Sequence, residues 1–217
     1  MRVDADDFAR PCSCGREHHI DVKEIVIESG AIGKLEEEMS DGDLREYISP
    51  LLICDTNSYK ATEELMEDIY DRCQVLILDA EDLEADERAV EIVENYMEED
   101  IDLVLAVGAG TIHDLSRFVA HQYRIPFVSV PTAASSDGFT STVADMTWNG
   151  VKKAVTAEAP LYVFADTEGK IKINSEFRNG FFFAVNNFRF DAADSFSAEL
   201  YYYSFIFKIT HSPSPSD

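Results

Sequence analysis

Short runs of consecutive apolar residues alternate with stretches of helical period along most of this chain. Lys23–Glu28 (KEIVIE), Leu51–Cys54 (LLIC), Gln74–Leu78 (QVLIL), Leu103–Val107 (LVLAV) and Pro126–Val130 (PFVSV) read as strands, several apolar on both faces. Between them, Ile32–Met39, Ser58–Asp71, Asp86–Met97 and Thr111–Tyr123 carry apolar residues at helical spacing: Ala61, Leu65 and Ile69; Ala89, Val93 and Met97; Leu115, Phe118 and Val119. Strands that are apolar on both faces and alternate with helices predict a parallel sheet covered on both sides. The expected fold class is α/β, a three-layer parallel-sheet nucleotide-binding domain over residues 20–166. Residues 1–19 form an N-terminal lead-in. Asn149-Gly150 is a type I′ turn signal and predicts a β-hairpin around Trp148.

The pattern changes after Asp166. Residues 167–217 hold 12 of the chain's 24 aromatic residues and a single leucine, Leu200. Leu200–Ile209 (LYYYSFIFKI) has the composition of an aggregation-prone strand, and the chain closes on the polar run SPSPSD. This divergent aromatic-rich tail reads either as a C-terminal hairpin or helix or as a frameshifted or truncated replacement of the natural continuation.

Charge narrows the partners. The 217 residues carry 42 acids against 18 Lys and Arg, a net charge of −24. Residues 1–106 alone have 31 acids and 9 bases, mostly on helical stretches whose faces meet solvent. Phosphate backbones and anionic lipid surfaces would be repelled, so neither nucleic acid nor membrane is expected as a partner. No apolar run approaches the ~20 residues of a membrane helix. Four cysteines without an apolar leader point to a reducing, cytoplasmic setting.

The candidate chemistry gathers after two strands. VLAVGAGTIHD at 104–114 is a strand, a glycine turn and a helix start. Gly108 and Gly110 allow close backbone approach, and the Thr111 and Ile112 amides open a helix whose dipole favours an anion. Asp55 ends an earlier strand, where it reads as a helix N-cap or as a carboxylate for a ribose diol. It precedes the glycines, the reverse of the common dinucleotide fingerprint, and spacing alone favours the cap. SVPTAASSDGFTST at 129–142 is a long hydroxyl-rich loop with one acid, Asp137. Two such loops on adjacent strands would form a crevice at the carboxyl edge of the sheet.

Other ionisable residues read as structural. His113 and His121 are expected on a helix surface, and His113 with Asp114 is not a catalytic pair. Cys54 and Cys73 read as small buried hydrophobes, and Lys152 and Lys153 as a solvated turn. Cys12, Cys14, His18 and His19 have zinc-ligand chemistry but lack knuckle spacing and read as lead-in.

GAGTIHDLSRF (108–118), VPTAASSDGFTSTVA (130–144), NGVKKAV (149–155) and APLYVFAD (159–166) together resemble the sn-glycerol-1-phosphate dehydrogenase family. That family sits with the iron-type alcohol dehydrogenases, glycerol dehydrogenase and dehydroquinate synthase. CSCGREHH (12–19) also resembles the start of its bacterial members, and the likeness covers residues 10–167. The resemblance implies an NAD(P)-binding domain that reduces dihydroxyacetone phosphate to glycerol 1-phosphate, with a zinc or nickel ion held by a following helical domain. It further implies that Asp55 binds the ribose and favours NAD, and that Gly108, Ala109, Gly110, Thr111 and Ile112 cradle the pyrophosphate. Thr132, Ala133, Ala134, Ser135 and Ser141 would line the cofactor, and Asp137 would contact the phosphate substrate.

The departure comes after Asp166. The metal ligands expected there, a glycine-flanked Asp and two histidines, have no match. Asp191 and Asp194 lie in unmatched surroundings, and only His211 follows. The helical metal domain is thus expected to be absent, no catalytic or metal residue is assigned, and the chain is expected to be inactive alone. A non-catalytic NAD(H)-binding module and a glycerol dehydrogenase-like polyol oxidoreductase remain the alternatives, and a homo-oligomer is compatible with all three.

Overall fold

A computed structural model of the chain describes residues 2–4, 21–133, 136 and 138–167. Its sheet has seven strands: β1 (Arg2–Asp4), β2 (Glu24–Glu28), β3 (Pro50–Asp55), β4 (Gln74–Leu78), β5 (Leu103–Gly108), β6 (Phe127–Pro131) and β9 (Tyr162–Asp166). They lie in the order β1-β2-β9-β6-β5-β3-β4, and every pair is parallel except the antiparallel edge pair β1–β2. A separate hairpin joins β7 (Val143–Trp148) and β8 (Val151–Thr156). The expected α/β class holds. Strand β1 falls inside the stretch set apart as lead-in, and nothing in its three residues distinguishes it from a loop.

The helices are α1 (Ala31–Ser40), α2 (Thr56–Thr62), α3 (Glu67–Tyr70), α4 (Glu87–Glu94) and α5 (Gly110–Tyr123). Two apolar clusters lie on opposite faces of the sheet. Leu51, Ile53, Val104 and Ala106 pack with Ala89, Val93, Leu115 and Val119 of α4 and α5. Leu52, Cys54, Leu105 and Val107 pack with Ile32, Leu35, Met66 and Ile69 of α1 and its neighbours. Alternate residues of one strand thus feed both clusters, which is why these strands read as unbroken apolar runs. Each such Leu or Val contributes about 1.5–3 kcal/mol by leaving water.

The single helix expected over Ser58–Asp71 is broken into α2 and α3. The predicted stripe puts Leu65 and Ile69 inside; Ile69 is buried as expected, but Leu65 is 40% exposed, and Ser58, Thr62 and Met66 are buried in its place. The Thr62 hydroxyl donates to Ser58 O at 2.8 Å and meets the Tyr70 hydroxyl at 2.7 Å, so a polar residue occupies the inward face where the helix stops. The α4 helix is also shorter than expected: Asp86 caps it, and Tyr96 beyond its end is about half exposed.

At the hairpin, Asn149 (φ 51°) and Gly150 (φ 72°) both occupy the left-handed region that a type I′ turn requires. The buried Ala144 and Met146 of β7 join the cluster around α5. The aromatic tail, its Asp191, Asp194 and His211, and the Cys12, Cys14, His18 and His19 group lie outside the described residues.

Candidate functional site at the carboxyl edge of the sheet

Three of the helices have their N-termini closed by carboxylates of the chain itself. Asp166, at the end of β9 and 2% exposed, accepts from the Gly30 and Ile32 amides at 3.3 and 3.1 Å and so closes α1. Asp55 Oδ1 accepts from the Asn57 and Ser58 amides at 2.8 and 2.9 Å, while the Ser58 hydroxyl meets the Asp55 amide, a capping box on α2. Asp86 accepts from the Arg88 and Ala89 amides and closes α4. Helix α5 differs. Its N-cap is Ala109, whose side chain cannot accept a hydrogen bond, and its first turn holds no acid. Its 14 residues carry a dipole whose positive end opens at the glycine turn.

Register places the candidate residues together. Cys54 pairs with Val107 across β3–β5, so Asp55 and Gly108 stand side by side on neighbouring strands, one position beyond that pair. Gly108 pairs with Pro131 on the other side, and the Thr132 amide donates to Gly108 O at 2.9 Å. The glycine turn therefore has Asp55 on one flank and the start of the hydroxyl-rich loop on the other. Gly108 is required by packing: a Cβ there would lie 2.7 Å from Ile112 Cβ.

Other expected residues have local partners. The Ser141 amide donates to Gly138 O at 3.0 Å, and its hydroxyl accepts from the Val143 amide at 2.9 Å. A hydroxyl so engaged still has its proton to donate. Thr132 and Ala133 are half buried. Ala134, Ser135 and Asp137 lie outside the described residues.

His113 corrects the expectation of a helix-surface histidine. It is 1% exposed; its Nδ1–H donates to Ala109 O at 2.9 Å and its ring meets the Phe139 ring edge-on at 4.6 Å between centroids. Burial pushes its pKa down to about 3, so the ring is neutral near pH 7. His121, by contrast, is half-exposed beside Glu158. Cys54 is buried as expected, and Cys73 is partly so.

Arg117 lies one helical turn on from His113, and its spacing on α5 does not distinguish it from a surface residue. It too is 1% exposed. Its guanidinium donates to Asp114 Oδ1 at 3.1 Å, to Val143 O at 3.0 Å and to Gly138 O, and lies over the Phe127 ring. Burial pushes the Asp114 carboxyl up to about 6, against the pull of Arg117 and of the Asp145 amide. A sequence cannot show that a helix Arg is inside, since Arg is rarely fully buried unless paired.

An open, mostly parallel α/β sheet with a glycine turn and a helix start at the carboxyl end of a central strand has the general arrangement of nucleotide-binding folds. The comparisons with known proteins narrow this. Residues 26–169 match the iron-containing alcohol dehydrogenase family, and the chain belongs to it. The chain is 38% identical over 168 residues to a glycerol-1-phosphate dehydrogenase (NAD(P)+) of Geobacillus stearothermophilus, covering 74% of this chain and 41% of that protein. It is 40% identical over 82 residues to the protein of that name from Methanosarcina mazei, covering 38% of this chain and 23% of that protein. The chain thus spans about two fifths of the length of the Geobacillus relative.

Among solved structures, an iron-containing alcohol dehydrogenase from Thermococcus thioreducens superposes with a TM-score of 0.60 at 15% identity, over 75% of this chain and 50% of that one. A maleylacetate reductase from Agrobacterium tumefaciens gives 0.58 at 18% identity, over 72% and 44%. These likenesses concern the fold. Among the described residues, no helix is long and apolar enough to cross a membrane, and no three His, Cys, Asp or Glu side chains gather as a metal site would need.

Proposed function

We propose that this chain binds NAD(P) along the carboxyl edge of its sheet and is the nucleotide-binding part of an sn-glycerol-1-phosphate dehydrogenase, which interconverts dihydroxyacetone phosphate and glycerol 1-phosphate. The observation that carries the reading is the contrast among helix starts. Carboxylates of the chain close α1, α2 and α4, whereas α5, the longest helix, has Ala109 as its N-cap, with no side-chain acceptor there and no acid in its first turn. A pyrophosphate suits that end, where backbone donors and the helix dipole favour negative charge. The names of the relatives at 33–39% identity support the substrate class.

In this reading the Thr111 and Ile112 amides donate to the diphosphate, and Gly108, Ala109 and Gly110 form the turn beneath it. Asp55 keeps Oδ1 on its helix cap and presents Oδ2 to a ribose diol. Its negative charge disfavours a 2′-phosphate, which makes NAD the preferred coenzyme. Thr132, Ala133, Ala134, Ser135 and Ser141 line the other flank, and Asp137 meets the phosphate substrate. When bound, the nicotinamide supplies the electrons and hydrogen that reduce a ketone to an alcohol. Among the described residues no three His, Cys, Asp or Glu side chains gather to hold zinc or nickel. The chain's own part is to bind and orient the coenzyme.

Calorimetric titration of the full chain with NADH, beside an activity assay supplemented with zinc or nickel, tests this. One-site saturable NADH binding is expected. Its absence at millimolar NADH would overturn the reading. Binding without turnover would favour the alternative of a non-catalytic module.

A further inference from the structure

Helices α4 and α5 pack against each other on one face of the sheet, and a groove of about 540 Å³ lies between them. Glu87, Val90 and Glu94 line it from α4, and Phe118, His121 and Gln122 from α5, one stripe of each helix. Trp148, the last residue of β7, also lines it and meets Phe118 edge-on at 5.5 Å between ring centroids. Val90 is buried and both rings are half-buried, so an apolar stretch lies between two carboxylates. Glu87 and Glu94 stand seven residues apart on α4, two turns of helix and about 10 Å along its axis. Each spends one oxygen inside the protein. Glu87 Oε1 accepts from the Asn149 amide and Glu94 Oε1 from the Gln122 side-chain amide, both at 2.7 Å. The cations nearby are engaged elsewhere: Arg88 meets Asp86 at 2.9 Å, and His121 lies 3.5 Å from Glu158.

Two carboxylates this far apart cannot share one metal ion, whose ligand oxygens sit within about 2.6 Å of it. An anion would be repelled, and an uncharged apolar molecule would strip water from the carboxylates without pairing them. The complement of the groove is a cation at each end with an apolar stretch between. We propose that the groove binds a linear aliphatic polyamine, with one ammonium at Glu87 Oε2, a second at Glu94 Oε2, and the methylene chain over Val90, Phe118 and Trp148. An extended alkyl chain advances about 1.25 Å per bond, so an eight-carbon diamine spans about 11 Å and a four-carbon diamine about 6 Å. Only the longer one reaches both carboxylates. The volume is that of a small-molecule site. The proposal stands apart from the coenzyme reading, because Phe118 follows Gly110 by eight residues, about 12 Å along α5 from the glycine turn.

Trp148 is the chain's single tryptophan, so its fluorescence reports on the groove, and calorimetry on the same solutions reads binding that leaves the ring unmoved. The full chain is titrated with the eight-carbon diamine, the four-carbon diamine and an eight-carbon monoamine. Saturable binding of the eight-carbon diamine is expected, about fivefold tighter than either of the others, the upper end for one exposed ion pair. Glu87→Gln and Glu94→Gln keep the acceptors for Asn149 and Gln122 and remove the charge. Each should weaken the eight-carbon diamine about fivefold. Glu67→Gln, on α3 at the opposite face of the sheet, makes the same change in net charge and should leave the affinity unchanged. Equal weakening by all three variants would mean a diffuse counterion atmosphere around an acidic chain, and that result overturns the proposal. Equal affinities for the two diamines overturn it too, as does the absence of saturation up to millimolar diamine. Binding of a lysine-rich peptide by a groove that ignores the diamine overturns it in favour of a protein partner.

Discussion

Asp166 Oδ2 accepts a hydrogen bond from the Ile32 amide at 3.1 Å, joining the last strand of the sheet to its first long helix across 134 positions of chain. Its other oxygen takes the Gly30 amide, where the backbone turns through φ 78°. The carboxylate thus satisfies the buried Ile32 amide as well as the part-buried Gly30 amide, two of the donors a helix start leaves without intrahelical partners. Asp166→Ala is expected to cost about 1–3 kcal/mol, read as a lower urea midpoint at unchanged slope. Because this carboxylate serves α1 and not α5, the surviving folded protein should keep its NADH affinity.

Gly108→Ala acts at the other helix. The added methyl meets Ile112 Cβ at 2.7 Å, a branched side chain that cannot swing aside, so α5 must shift. About 1–3 kcal/mol of stability is expected to be lost, as for other overpacked sites. NADH affinity should fall as well, since the same shift moves the Thr111 and Ile112 amides. Thermal unfolding and coenzyme titration on one preparation check both.

His113 makes stability depend on pH. Its folded pKa, about 3, lies below the ordinary histidine value, so the unfolded chain binds more protons between the two. Its contribution is therefore full above pH 6.5 and is lost as pH falls. Asp114, pushed up to about 6, acts oppositely: the folded chain holds its proton longer, which adds stability below about pH 6. The histidine has the larger shift and dominates. His113→Asn keeps a donor for Ala109 O and removes the titration. Between pH 7 and 5 the wild type should lose about 2 kcal/mol more than this variant, measured by urea unfolding at each pH.

Asp55 has two duties that one substitution separates. Asn caps helices as well as Asp does, so Asp55→Asn should leave stability nearly unchanged. The charge facing the ribose is gone, however. The ratio of NADPH to NADH affinity is expected to rise, by about tenfold if the repulsion is worth ~1.4 kcal/mol. An unchanged ratio would show that Asp55 only caps α2.

Much of this architecture is legible in the residues. LVLAV could only be a strand buried on both faces, and Asn149-Gly150 could only turn tightly between two strands. Both readings of Asp55 were legible too, and the cap is seen. Other features depend on distant partners. Leu65 and Thr62 exchange places because the Tyr70 hydroxyl lies within reach of Thr62, a contact no period can show. His113 is buried because Phe139 packs on it, and Arg117 because Gly138 and Val143 offer it carbonyls. Charged and aromatic residues on a helix give the same pattern whether a loop covers them or water does. Asp166 reads as the last residue of a strand, and only the fold shows that it faces the start of α1.

Backbone amide resonances of the full chain, followed during a titration with NADH, test the central claim most directly. Saturating shifts are expected together at Gly108–Ile112 and at Asp55–Ser58, with the Gly30 and Ile32 amides, already held by Asp166, left in place. Silence at the α5 amides up to millimolar NADH, or shifts centred on α1 instead, would contradict the account.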